Sequence, residues 1–344
     1  MQILLLAFLA QSFHVSIGFL IHSHVRSYRN RGTQLFCTGQ TTIPAVNPLI
    51  HGKAIFRNLE GNMFAHPLDK QTTARLSNLP FLESITRRIL GFAEAIAQLE
   101  NLSSSVLVGP RQMSSIYQSL SAACKILDME EPEVYIKQNP VPNAYTLAIR
   151  GRKPFIVLHS SIVELLSEKE LQAVIAHELG HLKCEHSLWI TTLNLLIIGA
   201  TGINEALSLP LQRSLYEWLR SAELSCDRAA LLVTQDVNVV ASVFMKLSGG
   251  ATNKIDELNV EAYIEQSQNF DKEAKKIGAR LLNMGVDQVM SHPVPVVRVK
   301  ELLEWSKSGD VNVTDAAWAR LSSPMYSPLF DHSSNSLTLT TGTG

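Results

Sequence analysis

The sequence predicts an α+β fold, mostly helical, with a small sheet of three or more strands. Apolar residues recur at helical spacing before residue 128 and again after residue 159. Short β-rich runs bounded by Pro and Gly occupy only the interval between. A length of 344 residues with 46% hydrophobic and 18% charged side chains is ample for a buried core and excludes a wholly disordered chain.

In order along the chain, Leu82, Ile85, Ile89, Leu90, Phe92, Ala93 and Ile96 mark a helix over 79–99. Ile116, Leu120, Ala123 and Ile126 mark a second over 111–127. Val134-Tyr135-Ile136 reads as a strand stopped by Pro140 and Pro142. Strands follow at 143–149 and 154–158, and Arg150-Gly151-Arg152-Lys153 between them is turn chemistry, so they form a hairpin. Helices resume over 161–166, 168–186 and 211–234, with more between 237 and 305.

The two ends differ from this middle. No Asp or Glu precedes Glu60, although 31 acids occur in the chain, and Arg26, Arg29, Arg31, Lys53 and Arg57 lie in that stretch. Residues 3–21 are apolar but interrupted by Gln11, Ser12, His14 and Ser16, which suits a signal-peptide core better than a membrane span. Residues 1–55 are therefore expected to be a targeting segment outside the fold. A signal peptide followed by a transit peptide resembles the bipartite plastid targeting of algae with complex plastids; a secretory signal, an anchor or a mitochondrial transit peptide are the alternatives. Residues 56–320 form the expected domain. The Ser-, Thr-, Pro- and Gly-containing stretch 321–344 is expected to be a disordered tail.

A balance of 30 Lys+Arg against 31 Asp+Glu leaves a net charge of −1 and no basic excess for nucleic acid. Cys37, Cys124, Cys184 and Cys226 form no C-x-x-C pair and read as reduced thiols.

The chemistry centres on His177-Glu178-Leu179-Gly180-His181, embedded in the strong helix former Leu171-Gln172-Ala173-Val174-Ile175-Ala176. Positions i and i+4 share a helix face, so both imidazoles can reach one ion, and Glu178 stands beside it as a base for a water. A catalytic zinc takes three protein ligands and keeps one position open. Glu223 and Asp227, at i and i+4 on a second predicted helix, supply a third ligand and a carboxylate able to hydrogen-bond a ligating imidazole. On spacing alone, that acidic pair reads better as a solvated face; beside His177 and His181 it reads as a ligand and its neighbour. Cys184 and Cys226 compete as ligands but read better as small buried residues. His186 lies five positions past His181, which turns it off the metal-facing side of a continuous helix; His159 reads as a core or turn residue, and His66 as a loop residue.

These residues resemble the gluzincin metallopeptidases that include HtpX and the CAAX prenyl proteases, above all their soluble plastid and cyanobacterial relatives. The resemblance runs from His66-Pro67-Leu68-Asp69 to Trp305, through Asn139-Pro140-Val141-Pro142-Asn143-Ala144-Tyr145, the histidine pair, Glu223-x-x-x-Asp227, Ser291-His292-Pro293 and Arg298. It implies a zincin-like domain with one Zn2+ per chain, His177, His181 and Glu223 as ligands, and Glu178 as general base. It also implies that His292 lies near the site to donate to a developing oxyanion, although a histidine before a helix-starting Pro reads as well as a surface residue. The chain lacks the several spans of the membrane branches, so prenylated substrates are not implied.

Residues 186–204 carry no Asp, Glu, Lys or Arg. A single crossing there would put Glu223 across the bilayer from the histidines, and Glu205, Pro210, Arg213, Glu217 and Arg220 argue against a return span. A buried helix is expected, with peripheral membrane contact as the lesser alternative. The expected activity is hydrolysis of internal peptide bonds in a protein or peptide substrate, with the strand at Asn143, Ala144 and Tyr145 pairing to extended substrate by strand addition; Asn143 reads equally as a turn residue after Pro142. An inactive zinc-binding regulator and a non-proteolytic zinc hydrolase are the alternative functions. The sequence sets no oligomeric state.

Overall fold

The structure, a computed structural model, describes residues 53–78, 80–148, 153–250, 254–281 and 294–308. Most of the expected targeting segment, residues 149–152 of the predicted turn region, His292 and the expected tail lie outside the described residues.

Helices α1 (Gly61–Phe64), α2 (Pro67–Ser77) and α3 (Pro80–Ser104) come first. Strand β1 (Ser105–Leu107), helix α4 (Ser114–Leu127) and strands β2 (Glu133–Lys137), β3 (Ala144–Leu147) and β4 (Phe155–His159) follow. Then come α5 (Ser160–Leu165), α6 (Glu168–Lys183), α7 (His186–Ile203), α8 (Glu205–Thr234), α9 (Val237–Gly249), α10 (Val260–Leu281) and α11 (Pro295–Ser308). The architecture is the α+β one expected.

The sheet has the order β1-β2-β4-β3. β3 and β4 form the anticipated antiparallel pair, with Ala144 opposite Leu158 and Leu147 opposite Phe155. β4 also pairs parallel with β2, and β1 adds antiparallel to the far side of β2. Three residues with both Val106 and Leu107 exposed gave β1 no readable alternation in the sequence.

Alternation along the central strands sorts the core. Val134, Ile136, Ile156 and Leu158 face the helices and join Ile175, Ala176, Leu179 and Leu232. Tyr135, Phe155 and Val157 turn to the opposite face with Leu147, where the rings of Tyr135 and Phe155 meet edge-on at 6.1 Å. Each fully buried aliphatic side chain contributes about 1.5–3 kcal/mol.

Two helix boundaries correct the sequence reading. The helix expected over 168–186 stops at Lys183, because Glu185 adopts a left-handed conformation (φ 53°) and α7 starts afresh at His186. The helix expected to begin at 211 starts at Glu205 and accommodates Pro210 in its early turns.

Helices α7 and α8 form a hairpin with its own small core, in which Leu188, Trp189, Ile190, Leu193 and Ile197 meet Leu215, Trp218, Leu219 and Ala222. By length and composition α7 would suffice to cross a membrane, yet nearly half of it is buried in protein. Ile198, Ile203 and Leu209, toward the turn, are exposed.

Candidate metal centre

Helix α6 is fixed at its start by a reciprocal cap, in which the Ser167 backbone N–H donates to Glu170 Oε2 at 2.7 Å and the Ser167 side chain accepts from the helix backbone. Glu170 also receives Ser242 Oγ at 2.5 Å and Lys246 Nζ at 2.7 Å from α9. Every residue from Glu170 to His181 is buried, so this helix runs through the centre of the domain. It passes close to α8 at Gly180, where an added Cβ would stand 3.0 Å from both Ala229 Cβ and Cys226 Cα. The absence of a side chain there lets the histidine pair on α6 approach Glu223 and Asp227 on α8.

The imidazoles of His177 and His181 lie 5.1 Å apart between ring centroids. Glu223 faces both, with Oε2 at 3.5 Å from His177 Nε2 and Oε1 at 3.6 Å from His181 Nε2. The two Nε2 atoms are buried and make no hydrogen bond among the described residues. Buried polar atoms are normally satisfied. Ligands held at about 2.1 Å from one tetrahedral zinc stand about 3.4 Å from each other, so this donor set fits such an ion.

Glu178, beside the pair, also has a buried and unpartnered Oε2. Burial pushes its carboxyl up to about 8, reinforced by Glu223 and opposed by the His177 and Arg298 charges.

Behind the pair, His177 Nδ1 meets Asp227 Oδ1 at 3.0 Å. Arg298 of α11 holds Asp227 through Nε at 2.8 Å and Nη2 at 2.6 Å, and its Nη1 stands 3.2 Å from Glu223 Oε2. Burial opposes the charge on His177, but the Asp227 and Glu223 carboxylates prevail and hold its imidazole at about 9. Burial likewise opposes ionisation of Glu223, and Arg298 overrides it, keeping that carboxyl well below its ordinary range.

His181 has a different neighbour, which the sequence did not disclose. Its Nδ1 lies 2.9 Å from Nδ1 of His186, whose Nε2 lies 3.0 Å from Asp69 Oδ2 on α2. Trp218 Nε1 donates to Asp69 Oδ1 at 2.9 Å, and Ser225 Oγ to Asp69 Oδ2 at 2.6 Å. Burial resists the charge on Asp69, yet His186 and these donors hold it down at about 2. A helix continuing through His186 would turn that ring off the metal face; the left-handed turn at Glu185 carries it back against His181. Asp69 gave no local signal, since its partner lies 117 positions away.

Among the other candidates, Cys226 approaches the imidazoles closely enough to qualify as a donor on distance alone. Its sulfur contacts His186 Nδ1 at 3.5 Å, and burial holds the thiol well above its usual range. Cys184 is half-buried at the C-cap of α6. His159 is a core residue, its Nδ1 donating to the Val141 carbonyl at 2.8 Å, and His66 is the N-cap of α2. Strand β3 is a sheet edge packed beside α6. In it Ala144 is buried and Tyr145 half-buried, while Asn143, just before it, has a buried Oδ1 without a partner among the described residues.

The pattern of Peptidase family M48 matches residues 110–306, more than half of the chain. The chain belongs to peptidase family M48. "Plastoglobule-localized metallopeptidase 48, chloroplastic" of Arabidopsis thaliana is 45% identical over 300 residues, covering 85% of this chain and 86% of that protein. "Protease HtpX homolog 2" of Methanosarcina mazei is 26% identical over 170 residues, 42% of this chain and 58% of that protein. "Protease HtpX homolog" of Bacteroides fragilis is 27% identical over 135 residues, 39% of this chain and 40% of that protein. No solved structure matches the chain. Membership in M48 makes the chain a metallopeptidase, a hydrolase whose substrates are proteins or peptides. The matched stretch contains His177, Glu178, His181, Glu223, Asp227 and Arg298, while Asp69 lies before it.

Proposed function

We propose that the chain is a zinc-dependent metalloendopeptidase of the plastid. The observation that carries the reading is the convergence of two buried, unpartnered imidazole Nε2 atoms on the carboxylate of Glu223, at 3.5 and 3.6 Å. His177, His181 and Glu223 would hold one Zn2+. When bound, zinc supplies Lewis acidity, which makes water a competent nucleophile near neutral pH and polarises the scissile carbonyl.

The protein's own groups do the rest. Glu178 takes the proton of the attacking water and returns it to the leaving amine. Asp227 fixes the His177 ring with a proton on Nδ1, so that Nε2 is the nitrogen that would give up its proton to take the metal, and Arg298 holds Asp227 in place. The edge strand around Asn143, Ala144 and Tyr145 would pair with extended substrate, the buried Asn143 Oδ1 offering an acceptor at its start. His292 is the proposed donor to the oxyanion. Main-chain recognition of this kind tolerates many sequences.

The plastid assignment draws on the acid-free segment 1–55 and on the chloroplastic relative of similar length. Peripheral membrane contact would fall on the exposed apolar end of α7.

The test compares wild type with Glu178→Gln and Glu223→Ala on casein and on a peptide library. Glu178→Gln is expected to keep one zinc per chain and lose about 10²–10⁴-fold in turnover; Glu223→Ala is expected to lose zinc. Full proteolysis by Glu178→Gln would overturn its role as base. Ester hydrolysis by wild type with no peptide cleavage would move the protein to a non-proteolytic class.

A further inference from the structure

We infer that Asp69, acting through His186, is a positioning residue for the metal ligand His181, so that helix α2 is part of the metal centre. The inference rests on the ligand set proposed above. It adds a second carboxylate–imidazole support, supplied by a helix lying before the stretch that matches the family.

The reasoning is one of proton direction. A neutral imidazole carries one N–H, and a ring that binds metal through Nε2 must carry it on Nδ1. Among the described residues His181 Nδ1 hydrogen-bonds to another imidazole nitrogen, Nδ1 of His186, at 2.9 Å. Two rings in contact through Nδ1 cannot both donate and cannot both accept. For His181 to donate, His186 must accept at Nδ1 and carry its own proton on Nε2. Asp69 supplies one half of that state, the proton on His186 Nε2. Its Oδ2, 3.0 Å from His186 Nε2, belongs to a carboxylate that only accepts. Trp218, a donor without an acceptor lone pair, holds Oδ1 at 2.9 Å, and Ser225 Oγ donates to Oδ2 at 2.6 Å. With metal on His181 Nε2 the chain would run one way, from His181 Nδ1–H to His186 Nδ1 and from His186 Nε2–H to Asp69. His181 Nε2 would then offer its lone pair to the metal beside Glu223.

Asp69, Trp218, Ser225, His186 and His181 are all buried, so water does not compete to reset the direction. Asp69→Asn keeps the shape but can present N–H to His186 Nε2. His186 would then hold its proton on Nδ1, and His181 would have to carry one on Nε2, against the metal.

The experiment measures zinc affinity of the full chain by competition with a chromophoric chelator, together with the visible spectrum of the Co2+-substituted protein and the thermal unfolding of the metal-free protein. Asp69→Asn is expected to weaken zinc binding about 10–100-fold and to alter the Co2+ spectrum. His186→Gln, whose amide can accept from His181 and donate to Asp69, is expected to bind zinc at least about tenfold more tightly than His186→Met of similar size. This pair decides the matter should Asp69→Asn fail to fold. A merely structural role would lower metal-free stability while leaving zinc affinity and the Co2+ spectrum unchanged. Wild-type affinity in Asp69→Asn, or equal affinities in His186→Gln and His186→Met, would overturn the inference. If wild type itself binds no zinc, the failure belongs to the proposed ligand set instead.

Discussion

The guanidinium of Arg298 clasps both carboxylate oxygens of Asp227, at 2.8 Å from Nε and 2.6 Å from Nη2, and both residues are buried. Its third nitrogen stands 3.2 Å from Glu223, so one cation balances two buried acids. Arg298→Met would leave both without their cation, and removal of one partner of a buried pair costs about 3–5 kcal/mol. Lys at this position is not expected to restore the loss, since an ammonium cannot bridge the two oxygens in the same planar fork. Urea unfolding of chelator-treated protein reads the difference.

Two glycines in helices should respond to alanine with opposite signs. Helix propensity favours Ala over Gly by about 1 kcal/mol. At Gly199, where an added Cβ meets nothing within 4 Å, Gly199→Ala is expected to stabilise by up to that amount. At Gly180 the new methyl would press on Cys226 and Ala229 at 3.0 Å, and overpacking of a core costs about 1–3 kcal/mol. Gly180→Ala should therefore lower the melting temperature and, by spreading α6 from α8, weaken zinc binding as well.

Glu170 gives a pH-dependent contribution. Burial would raise its carboxyl, but Lys246, Ser242 and Ser167 prevail and hold it below the ordinary value of 4.5. A group depressed in the folded state stabilises above its unfolded value, and that stability is lost as pH falls through the folded value. Glu170→Gln should be less stable than wild type at pH 7. The gap should narrow below pH 4.5 in denaturation curves taken across the acid range.

Metal should stabilise the fold, because the donor atoms assemble only in the native state. Zinc at a hundred times its dissociation constant would add about 2.7 kcal/mol. Calorimetry with and without chelator is expected to show this shift in wild type and to lose it in Glu223→Ala.

Legibility in the sequence followed the range of the interaction. Helix α6 was readable because its cap, its apolar lead-in and its i, i+4 histidines all lie within a few turns. The β3–β4 pair was readable because its strands flank a short connection, whereas β1 is three exposed-edge residues and the parallel pairing of β2 with β4 joins strands not adjacent in sequence. Glu223 and Asp227 could be suggested from spacing on one helix, but the Arg298 clasp depends on α11 arriving from 71 positions away. The His186–Asp69 support was hidden by one residue, Glu185, whose left-handed turn breaks a helix that local propensity would have continued.

The hairpin of α7 and α8 leaves the site just after His181 and comes back to it at Glu223, within α8. Its inner stems, Leu188 to Leu193 against Leu219 and Ala222, register the two strands of chain without help from the distal turn. Evolution can therefore lengthen, shorten or re-dress the far end around Ile203 and Leu209 as an adaptable handle, changing where the protease is stationed while the catalytic apparatus stays as it is.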